Sequence, residues 1–427
     1  MAKCLLPMIC VLLTCSSYAA GSEPSDPITW ADDHPEVVAN NARPTIAWPC
    51  EKIETDLGYC HQPSVVIDSS GELYAEGSKG RIFHSVDRGR TWSRLCSVPP
   101  LWEMPEGMKV ISPRQMMGLG VSPSGALLGF WFCAYSKYGE TETWPTSLGV
   151  DDVTLDYALW VTRSEDRGQT WTASAPFEGP PGVKVGSGKM RMAVMPDGRL
   201  MISANAHQQS RPDRPVTRVE QLHHGYVYVS DDDGRSWSRE GFIGNYSFET
   251  DLLPVPSGRI LAAVRYQRRK YPSDPPQLVS PWDNSPEPGG HSIIKNTALA
   301  FSEDGGATWS APRIVTGFMR TPGCLVRLSD GTLLMPHGVK EGLGGQRFVV
   351  SYDEGQTWSN AIFELNDAGY FASTVALDDD TLVTVHETPR GANPNNWVML
   401  HVLRWKAPPR SEVEKHGFFE PRQPEWE

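Results

Sequence analysis

The chain has 427 residues and a formal net charge of −12 at pH 7, with 39 glycines, 36 prolines and 15 tryptophans. The negative charge argues against nucleic acid or an anionic lipid surface as the main partner, although a local cluster of arginines can still bind a small anion. This composition, with no long apolar helical pattern, favours an all-β protein built of many short strands.

Residues 1–20 have the pattern of a secretory signal peptide. Lys3 precedes an apolar run from Cys4 to Cys15, and small residues follow as far as Ala20. The run is too short to span a membrane, and no later stretch approaches the length of a transmembrane helix. We therefore expect a secreted or periplasmic protein without a transmembrane segment. A lipid anchor at Cys15 is the alternative, because residues 12–15 loosely resemble a lipobox.

Five of the eight cysteines follow this segment, at positions 50, 60, 96, 133 and 324. Cys50 and Cys60 are close enough in sequence to form a disulfide in an oxidising compartment. None of the cysteines has the C-x-x-C or Cys/His spacing of a zinc site. The sequence thus predicts neither a bound metal nor a cofactor.

A short turn motif, Ser-x-Asp-x-Gly-x-Thr/Ser-Trp, occurs five times, starting at Ser85, Ser164, Ser230, Ser302 and Ser351. Its Asp can accept backbone N–H bonds across a tight turn, and its Gly can adopt positive φ without steric cost. The Trp offers a large surface for burial where the next strand begins. Recurrence with insertions of different length indicates a repeat architecture.

Six apolar hairpins alternate with these turns. They reverse at Gly71, Gly125, Gly198, Gly258, Gly331 and Asp380. The pattern predicts an all-β, six-bladed β-propeller of four-stranded antiparallel blades over residues 60–406, with residues 21–59 supplying the strand that closes the ring. Residues 407–427 are charged and rich in proline, and we expect a tail that contributes nothing to the core.

In a propeller the innermost strands line a central channel, so equivalent hairpin positions converge. Nine to eleven residues before each turn lie His61 or Gln62, Arg114 or Gln115, Lys189, Glu249, Arg320 and Tyr370, with Arg191 just inside the third strand. Seven residues after each turn lie Ser78, Phe132, Asn205, Arg265, Gly338 and Glu387. These polar and charged residues predict a binding site for a polar, anionic ligand; the alternative is simply a channel mouth exposed to water.

The repeated turn is the Asp box, or bacterial neuraminidase repeat, and the chain after the signal segment resembles the sialidase superfamily. The resemblance is most specific in FETDLLPVPSGRILAAVR, which starts at Phe248, and in GYFASTVALDDDTLVTVHE, which starts at Gly369. It implies that Tyr370 is the nucleophile, that Glu249 is the glutamate that activates it, and that Arg265, Arg347 and Glu387 belong to the substrate-binding set.

The residue types suit the chemistry that this resemblance implies. A sialoside carries a carboxylate on its anomeric carbon, which would repel the carboxylate nucleophile of an ordinary retaining glycosidase. A tyrosine deprotonated by a neighbouring glutamate avoids that repulsion and still forms a covalent intermediate. Arginines hold the substrate carboxylate through paired, charge-assisted hydrogen bonds.

The sequence departs from the family pattern at two positions. His61 stands where the first arginine of the family is expected, and the loop after the first hairpin contains no aspartate to act as general acid. Glu76 is the candidate substitute for that acid, and Asp151, Asp152 and Asp156 are alternative donors. His61, Arg114, Arg191 and Arg320 are the cations that could replace the arginine triad.

The resulting expectation is a secreted exo-glycosidase that removes terminal sialic acid, or a related acidic sugar, from glycans. Two alternatives remain open: a propeller that binds glycans without turnover, and a glycosidase for a different acidic sugar. The expected partner is therefore a glycan or glycoconjugate, and the sequence does not indicate an oligomeric state.

Overall fold

The computed structural model describes residues 43–58, 60, 62–77, 80–136, 156–181, 183–186, 190–208, 223–269, 293–317, 320–339, 344–369, 371–387 and 399–421. These residues form a ring of six antiparallel blades with one short helix, so the predicted all-β, six-bladed propeller is confirmed.

The first half of the chain contains two N-terminal strands and three blades. The N-terminal strands are β1 (Thr45–Ala47) and β2 (Cys50–Ile53). Blade one contains β3 (Val65–Ile67), β4 (Leu73–Gly77), β5 (Arg81–Ser85) and β6 (Ser93–Ser97). Blade two contains β7 (Lys109–Val121), β8 (Leu127–Ser136), β9 (Asp156–Ser164) and β10 (Thr172–Ala173). In blade three the innermost position is shared by β11 (Val183–Gly186) and β12 (Met192–Val194), followed by β13 (Leu200–Gln208), β14 (His223–Ser230) and β15 (Ser238–Asn245).

The second half contains three more blades and a C-terminal extension. Blade four contains β16 (Ser247–Pro254), β17 (Ile260–Arg269), β18 (Ile293–Ser302) and β19 (Arg313–Ile314). Blade five contains β20 (Arg320–Gly323), β21 (Val326–Arg327), β22 (Leu333–Val339), β23 (Gln346–Ser351) and, after the short β24 (Trp358–Ser359), β25 (Ile362–Asn366). Blade six contains β26 (Ala372–Ala376), β27 (Thr381–Glu387) and β28 (Leu400–Lys406), and the extension holds α1 (Arg410–Glu414) and β29 (Phe418–Phe419).

The N-terminal strands join the last two blades. β2 pairs antiparallel with β28, with Cys50 opposite Trp405, and is therefore the outermost strand of blade six. β1 pairs parallel with β25 at the outer edge of blade five. Because blade six contains strands from both ends of the chain, unfolding of either end exposes a sheet edge. The Cys50–Cys60 disulfide considered from the sequence is not formed, since both are free thiols and the Cys50 thiol donates to the Leu365 carbonyl at 3.2 Å.

The C-terminal extension differs from the predicted coreless tail. Val413 of α1 is fully buried in a cluster with Phe348, Phe363 and Trp405, and β29 pairs with β24. The charged, proline-rich composition gave no sign of this contact, because a few isolated apolar residues, Val413, Phe418 and Phe419, make it.

The repeated turns share one hydrogen-bond pattern. In the first, the Ser85 hydroxyl donates to Asp87 at 2.8 Å, and the backbone N–H and hydroxyl of Thr91 donate to the same carboxylate at 2.8 and 2.6 Å. The Gly89 N–H donates to Ser85 Oγ, and the Trp92 indole donates to the Gly89 carbonyl. All five bonds recur in the other four copies. The motif therefore stabilises the outer turn of each blade through its own side chains.

We expect Trp358→Ala to cost far more stability than the same change at Trp92. Trp358 is 0% exposed among Leu261, Leu299 and Leu333, whereas Trp92 is partly buried. Truncation of a fully buried tryptophan costs about 3–5 kcal/mol, because transfer and cavity terms add. Urea unfolding of both variants measures the difference in the free energy of unfolding. Equal losses in the two variants would contradict a larger contribution of Trp358 to the core.

Candidate active site

Several of the polar residues predicted for function lie at one mouth of the channel. Each innermost strand runs from this mouth toward the turn motifs, and each second strand returns to it. We call this end the upper mouth and define it by Gln62 and Glu76 of blade one, Glu249 and Arg265 of blade four, and Glu387 of blade six. All five side chains are at most 8% exposed.

Glu249 is held by residues from opposite sides of the ring. Gln62 Nε2 donates to Glu249 Oε1 at 2.5 Å, and Arg265 Nη1 donates to Glu249 Oε2 in an ion pair. Arg265 Nη2 donates to Gln267 Oε1 at 2.7 Å. Since blades one and four face each other across a six-membered ring, this Gln62–Glu249–Arg265 chain crosses the channel.

The backbone around this chain is irregular. A register shift between Phe248 and Asp251 interrupts the pairing of β16 with β17 and sets the direction of Glu249. Glu249 and Gln62 have φ angles of 32° and 63°, in the left-handed region that side-chain-bearing residues seldom adopt. Such conformations cost about 1–3 kcal/mol each and concentrate at functional sites. The contact between two strained residues is consistent with a site rather than with ordinary core packing.

Glu76 lies in an environment unlike that of Glu249, which is paired with Arg265. Its side chain is 2% exposed, the Cys60 thiol donates to it, and its Oε2 has no hydrogen-bond partner among the described residues. Burial raises the pKa of Glu76 well above its ordinary value, and the Cys60 thiol offsets only part of this effect. Glu76 is thus a buried carboxyl that favours its protonated form.

The short segment from Cys60 to Gln62 brings these groups together. Residues two apart are separated by at most about 7 Å between their Cα atoms, and Cys60 contacts Glu76 while Gln62 contacts Glu249. Burial, followed by the charges of Glu76 and Glu387, raises the pKa of Cys60, which places Glu387 near the same segment. The Glu387 N–H also donates to the Phe371 carbonyl at 3.0 Å. Among the described side chains, the upper mouth therefore brings together three carboxyl groups and one arginine.

Arg191 was predicted to bind substrate, but its guanidinium contacts protein groups deeper in the channel than the upper mouth. Its Nη1 donates to Asp251 at 2.7 Å and to the Cys324 sulfur, and its Nη2 donates to the Thr374 carbonyl at 3.1 Å. Asp251 also accepts from the Leu325 N–H at 2.6 Å. Arg191 consequently links blade three to blades four, five and six, and both of its terminal nitrogens donate to these protein partners.

The structure pairs Arg347 with Glu364. Arg347 Nε and Nη2 donate to Glu364 Oε2 at 2.7 and 2.6 Å, between the third and fourth strands of blade five. This is the outer half of the blade, so the described geometry does not bring Arg347 to Arg265. We leave it out of the proposed site.

Several predicted residues cannot be placed at the mouth by side chain. Tyr370 and His61 lie outside the described residues, as do Lys189, Asp151 and Asp152. Arg114, Arg320 and Asp156 have described backbones, in β7, β20 and β9, but not described side chains. Their proposed roles stay predictions.

Sequence reasoning missed three participants. Cys60 was considered only for a disulfide, Gln267 was not considered, and Asp251 was passed over although it is an acidic residue within an apolar inner strand. That last feature was the available signal, because a charged side chain buried in a strand requires a partner.

Within the described ranges, no group of three or more His, Cys, Asp or Glu side chains is arranged to hold a metal ion. Among the same residues, no helix has the length and apolar character needed to cross a membrane.

No protein-family model and no curated protein matches this sequence. Solved structures do match its fold. A Dyadobacter fermentans DSM 18053 protein of unknown function aligns with a TM-score of 0.56 at 16% identity, covering 86% of this chain and 98% of that one. The K499G mutant of NanB sialidase from Streptococcus pneumoniae aligns with a TM-score of 0.52 at 12% identity, covering 84% and 70%.

A third match is the α-L-arabinofuranosidase Arb93A from Fusarium graminearum in complex with an iminosugar inhibitor. Its TM-score is 0.50 at 14% identity, with 86% of this chain and 99% of that one covered. At these identities the matches show a shared fold alone, and that fold is the six-bladed β-propeller.

The environment of Glu76 predicts a pH-dependent term in stability. Its pKa is raised in the folded state, so its contribution is fully present below the unfolded value of about 4.3 and is lost as pH rises through the folded value. We expect the difference in melting temperature between Glu76→Gln and the wild type to grow in favour of the variant as pH rises from 4 toward 9.

Thermal unfolding at several pH values provides the measurement. Glu54→Gln, at an exposed glutamate, is the matched control and should follow the wild-type profile. If the melting temperature of Glu76→Gln followed pH in parallel with the wild type, the raised pKa of Glu76 would be contradicted.

Proposed function

We propose that this protein is a glycoside hydrolase that removes a terminal sugar at the upper mouth. The observation that supports this most strongly is that one short segment, residues 60–62, contacts two buried carboxyls in different environments, Glu76 through Cys60 and Glu249 through Gln62. Glu249 forms an ion pair, whereas Glu76 has no cationic partner among the described residues and its burial favours the protonated form. Carboxyl groups separated in this way suit the acid and base roles of glycosidic cleavage.

In the proposed first step, Glu76 donates its proton to the glycosidic oxygen as the bond to the anomeric carbon breaks. The Tyr370 hydroxyl attacks that carbon and its proton passes to Glu249, as the sequence resemblance implies. Water then displaces Tyr370 from the sugar, with Glu76 accepting a proton from the water and Glu249 returning one to the tyrosine. Gln62 and Arg265 orient the Glu249 carboxyl before it accepts the proton of Tyr370.

The similarity of fold to a sialidase and to an arabinofuranosidase is consistent with this class of reaction. Export to the periplasm or the medium, where glycans are encountered, is part of the proposal and depends on residues 1–20. Sialic acid and related acidic sugars are the substrates that the sequence resemblance implies.

A glycan-binding propeller without turnover is the second candidate. It is favoured by one observation: both oxygens of Glu249 already accept hydrogen bonds from protein side chains. To act as a base, Glu249 would have to exchange one of these bonds for the proton of the nucleophile.

We expect Glu76→Gln to lower kcat by about 10²–10⁴-fold on glycosides with a poor leaving group, because protonation of that group is lost. Dinitrophenyl glycosides, whose leaving group needs no proton, should retain most of their rate. Steady-state kinetics on the two substrate types measures this difference in kcat between poor and good leaving groups.

Glu54→Gln is again the matched control and should leave both rates unchanged. Equal losses on both leaving groups in Glu76→Gln would contradict the acid role. Saturable glycan binding with no turnover by the wild type would favour the second candidate.

A further inference from the structure

We propose that His386 and Asn366 are positioning residues, which hold the backbone of Glu387 in place at the upper mouth. Three hydrogen bonds in series join blade five to blade six. The series starts at the Gln346 N–H, passes through the two side chains and ends at the Glu387 carbonyl, and we call it the His386 bridge. The inference rests on the proposed function for its site, and it assigns residues that the proposed mechanism does not use.

The orientation of the Asn366 amide follows from a backbone donor. The Gln346 N–H donates to Asn366 Oδ1 at 2.8 Å. Exchanging the oxygen and nitrogen of this amide would set two donors against each other, because a backbone N–H cannot accept. The NH2 group of Asn366 must therefore lie on the other side, where it faces His386 Nε2 at 3.3 Å. It follows that His386 Nε2 accepts this bond and carries no hydrogen.

The tautomer of His386 follows in the same way. A neutral imidazole has one donor and one acceptor nitrogen, so the hydrogen lies on Nδ1. Nδ1 lies 3.1 Å from the Glu387 carbonyl oxygen and donates to it. Both His386 and Asn366 are buried, so these bonds are shielded from water. A doubly protonated His386 would point a second N–H at the NH2 group of Asn366, and the bridge would break there.

The surroundings of His386 favour the neutral form. Burial lowers the pKa of His386 to about 4; the bond to the Glu387 carbonyl offsets part of this effect, and the charges of His401 and Lys52 add to it. The ring centroid of His401, on β28, lies 6.0 Å from that of His386, and Glu54 acts on His401. Because the pKa is lowered on folding, the bridge is intact above the ordinary histidine value of about 6.5 and is lost as pH falls through 4.

The Glu387 backbone also supports the chain where it enters blade six. The Glu387 N–H donates to the Phe371 carbonyl at 3.0 Å. A Cβ built on Gly369 would lie 1.6 Å from the Glu387 carbonyl oxygen, so these two backbones are in close contact. The Gly369 carbonyl in turn accepts from the Gly345 N–H at 2.5 Å. The His386 bridge therefore fixes a residue that contacts both sequence neighbours of position 370, where the proposed mechanism has its nucleophile.

Nitrogen NMR of the full-length protein, labelled with nitrogen-15 at histidine, tests the bridge without reference to activity. We expect the His386 imidazole to carry its hydrogen on Nδ1 at pH 7 and still at pH 5, where exposed histidines are protonated. The His386→Gln variant assigns the signal by removing it. Hydrogen on Nε2, or a doubly protonated His386 at pH 7, would overturn the inference.

A kinetic test uses a variant that reverses the pH dependence. In Asn366→Asp one carboxylate oxygen still accepts from the Gln346 N–H, and the other faces His386 Nε2 and favours a protonated ring. The bridge in this variant is complete when His386 is protonated, whereas the wild-type bridge is complete when it is neutral. We therefore expect the ratio of variant to wild-type kcat to rise as pH falls from 8 to 4.

His386→Phe removes both bonds and should lower kcat about 10²-fold at neutral pH, because a misplacement of about 1 Å can cost that much. His401→Phe is the matched control: it changes the neighbouring ring, which is not part of the bridge, and should leave kcat unchanged. The substrates are 4-nitrophenyl α-L-arabinofuranoside and the 4-nitrophenyl glycoside of N-acetylneuraminic acid. If His386→Phe does not fold, the pH dependence of Asn366→Asp still decides the question.

The outcomes distinguish this inference from the proposed function. A kcat ratio that does not change with pH, or wild-type kcat in His386→Phe, would overturn the positioning role and leave the hydrolase proposal in place. A wild type that binds these glycosides without cleaving them would overturn the hydrolase proposal alone, and the same comparisons are then made on the dissociation constant. A wild type that neither binds nor cleaves them would overturn both.

Discussion

The contact between Gln62 and Glu249 is the interaction on which the upper mouth depends. It joins blades one and four across the channel, and the ion pair with Arg265 compensates the buried charge of Glu249. Breaking a buried charge pair by removing one partner is costly, because the other charge is left uncompensated. Arg191 forms a second link lower down, between blade three and the three blades that follow. Together the two links fill the channel axis with paired charges.

This arrangement explains how one site can hold two buried carboxyl groups in different environments. The repeated turns stabilise the outer turn of the blades, while the inner strands supply the residues of the upper mouth. Glu249 is bonded to a guanidinium and an amide, whereas Glu76 accepts from a weakly donating thiol as its one partner among the described side chains. The difference in partners, rather than in burial, separates the two residues, because both are 2% exposed.

The features that the sequence predicts well are local ones. Ser85, Asp87 and Trp92 complete their turn within eight residues, so five copies of that pattern sufficed to identify blades. Glu249 and Arg265 were found because both belong to one hairpin. The Cys60–Glu76 contact escaped prediction because it depends on the path of the chain from blade six to blade one. Likewise, the partners of Arg191 lie on three other blades. The burial of Val413 depends on its helix packing against strands that are distant in sequence.

The central claim is that burial shifts Glu76 toward its protonated form, whereas Glu249 is held in an ion pair with Arg265. The infrared carbonyl stretch of a protonated carboxyl, recorded at pH 7 as wild type minus variant, measures this most directly. We expect a protonated-carboxyl band that Glu76→Gln abolishes and Glu249→Gln leaves in place. A spectrum without that band, or a band lost on replacing Glu249 instead, would contradict the account.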